Sequence, residues 1–206
     1  MHRIYLFMAV FFTISVGMRN AEAQEPVAFQ TAKTPTGLQN KLRPAVRIGG
    51  YSLQLPAEFS VETPPADPPK GCEVHAWTGT PRANGTRLSL MCNFFGPPAV
   101  NSQSVTIDAF AKKMLAGIQR RNDDWKQTPP LIGTLNGMTS ISYGWSGVSR
   151  EYPGKRRSQG WIVILYGGKG FVELAAQDNG ADAPERLHLT EAAVRTFKRV
   201  DASTHP

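Results

Sequence analysis

Residues 138–177 constrain what this chain can fold into more than any other stretch. Apolar residues recur there with the period of two that strands require, and the segment divides into strands at 138–146, 160–166 and 171–177. Gly167-Gly168-Lys169-Gly170 joins the last two, and glycine tolerates the positive φ of a tight hairpin turn. Centring that turn on Gly168-Lys169 sets Leu165 opposite Val172, Val163 opposite Leu174 and Trp161 opposite Ala176. The other face carries Ile162, Ile164, Tyr166, Phe171 and Ala175, interrupted only by Glu173. A sheet that is apolar on both sides is expected to be covered on both sides. In 138–146 the odd positions Thr139, Ile141, Tyr143 and Trp145 are bulky, and the even positions Ser140, Ser142, Gly144 and Ser146 are small. The small face is one that a helix can approach closely.

The start of the chain reads as a targeting segment. Met1-His2-Arg3 is basic, residues 4–17 are apolar but too short for the roughly 20 residues that span a bilayer, and Ala21-Glu22-Ala23 has the small-x-small form of a cleavage site. Export with cleavage between Ala23 and Gln24 is expected, giving a periplasmic or secreted protein with no stable membrane insertion afterwards. The whole chain has 206 residues and a formal charge of +7. Removing Arg3, Arg19 and Glu22 with the leader leaves 21 basic and 15 acidic residues, a net +6. That surface favours anionic partners, and export argues against nucleic acid. Residues 24–44 are poor in large apolar side chains and read as a flexible tether, 45–200 as one domain, and 201–206 as a disordered tail.

Cys72 and Cys92 are the only cysteines, and two thiols in an oxidising compartment are expected to pair. A hairpin of 73–79 and 86–95 accommodates the bond. If Cys72 faces Cys92, then Val74, Ala76, Leu88, Leu90 and Phe94 share one apolar face. Residues 45–48 and 51–55 flank Gly49-Gly50 as a second small hairpin. A helix is expected at 106–121, with Thr106 as N-cap and a stripe of Ile107, Phe110, Ala111, Met114, Leu115 and Ile118. Residues 131–135 form a short strand turning at Asn136-Gly137, and a last helix covers about 190–198, with Thr190 as N-cap.

A catalytic set is hard to assemble. His75 lies on the odd side of its strand beside Trp77, and His188 lies on a helix edge; a general base needs an oriented partner and a nucleophile nearby. Tyr143-Gly144-Trp145-Ser146-Gly147 lacks the spacing and the strand-to-helix turn of a nucleophile elbow. Asp178-Asn179-Gly180-Ala181-Asp182 lacks the oxygen set of a calcium loop. No catalytic, metal or cofactor residue is assigned. Two features stand as binding candidates: the basic connection holding Arg150, Lys155, Arg156 and Arg157, and the aromatics Tyr143, Trp145, Trp161 and Tyr166.

Gly-Tyr-Ser-Leu-Gln-Leu-Pro-Ala-Glu-Phe at 50–59 resembles the opening of PsbP-like domains, and Ala-Val-Arg-Thr-Phe-Lys at 193–198 resembles their closing helix. Between them the order of hairpin, amphipathic helix and meander is similar too, over about 45–200. The resemblance implies an α+β sandwich, an antiparallel sheet of about six strands flanked by helices on both faces, used mostly for docking to partners. The family's metal and photosystem roles have no matching residues here, and Cys72 and Cys92 are not a general family feature. The expected function is that of a monomeric, exported, non-catalytic binding or accessory protein of the cell envelope. It would dock a protein partner through a sheet edge and the basic loop. Two alternatives stand beside it: an envelope hydrolase with a site assembled from loops, and a binder of acidic polysaccharide.

Overall fold

The computed structural model describes Pro26, Phe29 and residues 37–63, 71–81, 88–96, 106–150, 156–167, 170–180 and 183–200. The leader, the Ala23–Gln24 cleavage site and the tail at 201–206 lie outside the described residues. So do Lys155 and the turn tip Gly168-Lys169.

The elements in chain order are β1 (Val46–Ile48), β2 (Tyr51–Leu53), β3 (Ser60–Glu62), β4 (Cys72–Thr78), β5 (Leu88–Phe95), α1 (Ile107–Gln119), β6 (Asn122–Gln127), β7 (Leu131–Leu135), β8 (Met138–Ser149), β9 (Arg157–Tyr166), β10 (Phe171–Asp178), α2 (Ala183–Val194) and β11 (Lys198–Arg199). The main sheet is antiparallel with order β3-β4-β5-β10-β9-β8-β6, and β7 also pairs with β8. A small second sheet has order β1-β2-β11. The described residues thus hold eight strands in the main sheet rather than about six. The unexpected ones include β6, whose sequence Asn-Asp-Asp-Trp-Lys-Gln has no apolar alternation. It is held by its ladder to β8, across an irregularity between Asp123 and Lys126 where Asp124 takes φ 48°.

The meander has the expected register: Leu165 faces Val172, Val163 faces Leu174 and Trp161 faces Ala176. These six residues join one core with Leu53, Leu88, Leu90, Leu187, Val194 and Phe197. Ile162, Ile164 and Phe171 join a second with Ile141, Tyr143, Trp145 and the α1 residues Phe110, Ala111 and Leu115. The helix therefore packs on the bulky side of β8, because large side chains fill the space between helix and sheet. The small side carries buried Ser140 and Ser142 and lies on the face of Trp161 and Val163. Thr106 caps α1 as expected, its Oγ1 accepting from Ala109 N at 3.2 Å.

Besides the strand count and the face of β8 that α1 covers, four sequence expectations change. First, β4 pairs with β5 so that His75 faces Cys92 and Cys72 faces Phe95. Side chains alternate along a strand, so this register puts the two cysteines on opposite sides of the sheet. Both thiols are free, Cys92 buried and Cys72 partly exposed, and the Cys72–Cys92 disulfide is not formed. Trp77 decides the face. It is buried in the first core with Leu90 and Cys92, which turns Val74 and Ala76 the other way. Second, the last helix starts at Ala183, seven residues early, and Thr190 lies inside it with Oγ1 donating to Leu187 O at 2.7 Å. Third, the stretch read as a tether contributes to the fold. Phe29 is fully buried, 4.9 Å from the Trp161 ring, and Gln39–Lys41 form a 3-10 turn. Fourth, Tyr166 is 50% exposed, whereas Tyr143, Trp145 and Trp161 are core.

Asn136-Gly137 forms the β7–β8 turn with φ of 48° and 79°, as a type I′ hairpin turn needs. Asn136 Nδ2 donates to the carbonyls of Arg195 and Phe197 at 2.8 and 2.7 Å, tying this turn to the end of α2.

Candidate functional site

The basic connection predicted between β8 and β9 is drawn into the structure. Arg150 Nε donates to Asp123 Oδ1 at 2.7 Å and its Nη1 to Arg120 O at 3.3 Å, while Arg150 N donates to Arg121 O. The Arg156 carbonyl accepts from Ser149 N, and Arg157 pairs with Val148 at the start of β9. The loop's base is thus anchored at the C-terminal end of α1, beside Arg120 and Arg121, whose charge favours the negative end of the helix dipole. The Arg150–Asp123 pair is exposed and contributes little to stability. What it does is place Arg150 next to Arg120 and Arg121 as one basic end of the molecule.

From that end a groove of about 520 Å³ runs between α1 and strands β4, β5 and β10. Its apolar lining includes Val74, Met91, Phe95, Met114, Ile118 and Ala175, and Lys113, Arg120 and Arg121 also line it. Methionine's flexible thioether adapts to irregular surfaces, and two of them line this one. Met91 is 38% exposed, an unusual value for a side chain in the middle of a sheet. Glu173 and Asn93, register partners on β10 and β5, line the same groove and are 6% and 7% exposed. Asn93 Nδ2 donates to Glu173 Oε2 at 2.9 Å. Burial pushes the Glu173 carboxyl above the usual carboxylate range; the Asn93 hydrogen bond and the Arg121 charge oppose that rise without cancelling it.

The histidines make no comparable site. His75 Nε2 lies 2.7 Å from Glu73 Oε1, and His75 faces Cys92 across the β4–β5 ladder. A thiol, an imidazole and a carboxylate in that order resemble a nucleophilic set. The thiol has the wrong properties for one: Cys92 is fully buried, and desolvation holds its pKa well above the ordinary thiol value. A nucleophilic cysteine needs the reverse. His188 Nδ1 lies 3.2 Å from Glu191 Oε2 on the same helix. Among the described residues, no group of three or more His, Cys, Asp or Glu side chains is placed to hold a metal ion. No helix among them is long and apolar enough to cross a membrane.

Sequence reading did not find the groove. Lys113, Arg120 and Arg121 lie off the apolar stripe of the helix, a pattern that carries no sign of a groove. Glu173 did leave a signal, as the one charge on an apolar strand face. Asn93 left none.

No protein-family model matches the chain, and no curated protein is significantly similar to it. Solved structures are. The Ran-binding protein Mog1p of Saccharomyces cerevisiae aligns with 78% of this chain and 96% of its own, at 14% identity and a TM-score of 0.54. PA94 of Pseudomonas aeruginosa, a protein of unknown function, aligns with 77% of this chain and 98% of its own, at 9% identity and a TM-score of 0.51. At these identities the likeness is one of fold alone. A cyanobacterial PsbP from Synechocystis also matches, over 89% of this chain and 96% of its own, with 10% identity and a TM-score of 0.48. That is a resemblance of layout, and nothing further rests on it.

Proposed function

We propose that this chain is an exported, non-catalytic accessory protein that docks a protein partner at the groove and basic end formed by α1, β5, β10 and the base of the β8–β9 connection. The observation that carries the reading is the groove itself: apolar walls with exposed methionine, and cations from α1 beside them. Apolar contact supplies affinity, and charge selects the partner and speeds encounter. The reading takes the sheet as a rigid platform with one helix on each face, so that a docking surface on α1 is held in place. Mog1p, which shares the fold, is described as Ran-binding, and so supplies a precedent for protein recognition on such a scaffold. Export rests on the leader sequence and is checked by mass spectrometry of the native N-terminus; a protein still beginning at Met1 removes it.

The test of docking is a pull-down from envelope extract with the wild-type chain and with an Arg120→Glu/Arg121→Glu variant. Both side chains are exposed, so the variant is expected to fold, which circular dichroism verifies. A partner retained by the wild type and lost by the variant supports the reading. Equal retention by both, or none by either, ends it. The polysaccharide alternative predicts instead that a heparin-like column retains the wild type in low salt and releases the variant early.

A further inference from the structure

The groove has a polarity that narrows what can enter it. Asn93 Oδ1 is buried and accepts no hydrogen bond among the described residues, although the Nδ2 of the same amide is bonded to Glu173. A buried polar atom without a partner costs about 1–3 kcal/mol, so the Asn93–Glu173 pair favours any ligand that brings a donor. Around it stand Met91, Met114 and Ile118, which suit an apolar stem. Lys113, Arg120 and Arg121 bring three positive charges to the same groove against the one carboxylate of Glu173. A simple anion meets that carboxylate. A simple cation meets the three positive charges. A donor head on an apolar stem, with negative charge around its base, satisfies every part.

The geometry points to a lysine side chain of the partner as the occupant. Its ammonium would meet Glu173 and Asn93, and acidic residues flanking that lysine would meet Lys113, Arg120 and Arg121. The lysine stem is four carbons long and buries readily along apolar surface while its head keeps polar partners. This inference rests on the docking reading above and names the chemistry of the segment that docks.

The probe is a synthetic peptide with one central lysine flanked on each side by two glutamates, titrated into the full chain carrying methyl-labelled methionine. The expected result is movement of the Met91 and Met114 methyl signals. Replacing the peptide's lysine by norleucine, which keeps the stem and removes the ammonium, weakens binding by about tenfold or more. Glu173→Gln weakens the lysine peptide and leaves the norleucine peptide unchanged. Lys113→Glu, an exposed change, weakens both. The methyl spectrum of each free variant reports whether it has folded. Equal affinity for the two peptides, full affinity in Glu173→Gln, or no movement of either methyl overturns the inference. If these peptides fail while the pull-down still loses its partner in Arg120→Glu/Arg121→Glu, docking stands and the lysine does not.

Discussion

Gly160 is where the structure makes its sharpest demand on a single residue. It lies in β9, near the centre of the main sheet, and faces Trp145 on β8. The Trp145 ring covers it and is itself stacked on Trp125, with centroids 5.5 Å apart and planes at 14°. A Cβ at residue 160 would overlap the Ala176 carbonyl oxygen and stand 2.7 and 2.8 Å from two carbons of the Trp145 ring. Neither neighbour is free to retreat: one is backbone in the adjacent strand, and the other is a buried indole at 1% exposure. Gly160→Ala therefore sets two effects against each other. Reduced freedom of the unfolded chain favours alanine by about 0.4–1 kcal/mol. Overpacking costs about 1–3 kcal/mol where side chains alone must shift, and more where a strand must. The net loss should be about 2–3 kcal/mol, or roughly 5–10 °C in Tm for a domain of this size. Urea unfolding followed by tryptophan fluorescence measures it directly, since Trp145 also reports local repacking. A variant within about 0.5 kcal/mol of wild type would refute the reasoning, because the indole would then have room that the structure denies it.

Three further outcomes follow from particular contacts. Under native conditions a thiol reagent should label Cys72 slowly and Cys92 not at all, both reacting on unfolding, because desolvation raises both pKa values and Cys92 is fully buried; a disulfide found by non-reducing peptide mapping would contradict the β4–β5 register. Thr106→Ala should cost about 1 kcal/mol through loss of the α1 cap, read by denaturant unfolding. Glu173→Gln should be more stable than wild type at pH 7. A carboxyl whose folded pKa is raised stabilises the fold below its unfolded pKa, and that stability is lost as pH rises through the folded value, so the advantage of glutamine should vanish near pH 4 and grow above it.

The parts of the fold that could be read in advance are those where one short-range rule decided. In 160–177 the glycine turn fixes a single register, and two apolar faces place the hairpin inside the sheet. In α1 six apolar residues fall on one stripe behind a threonine cap. The β4–β5 hairpin had no such arbiter. Val74 and Ala76 share a face with Cys72 and Trp77 lies on the other, and burial follows area, in which one tryptophan exceeds a valine and an alanine. β6 is an edge strand held by backbone bonds, which leave no apolar pattern. α2 buries Thr190 and Glu191 beside Leu187 and Val194, so its polar residues disguised its start. The groove was illegible for a different reason. Its lining comes from β4, β5, α1, β8 and β10, which are far apart in the chain, and only the register of β5 on β10 brings Asn93 to Glu173.

Early and late described segments of the domain meet, and this orders events in time. β1 and β2 find their third strand only in Lys198–Arg199. Phe29 settles between Trp161 and the Arg195 guanidinium, which stands 6.0 Å above its ring. A chain grows from its N-terminus, so the first segments of this domain to be made are the last that can dock. Until synthesis passes residue 199, Phe29 and the inner side of β1 and β2 lack their final partners. A truncation that removes a few residues after Val194 would thus loosen the beginning of the domain, and a chain stalled there would present its N-terminal apolar side chains to whatever factor inspects unfinished proteins.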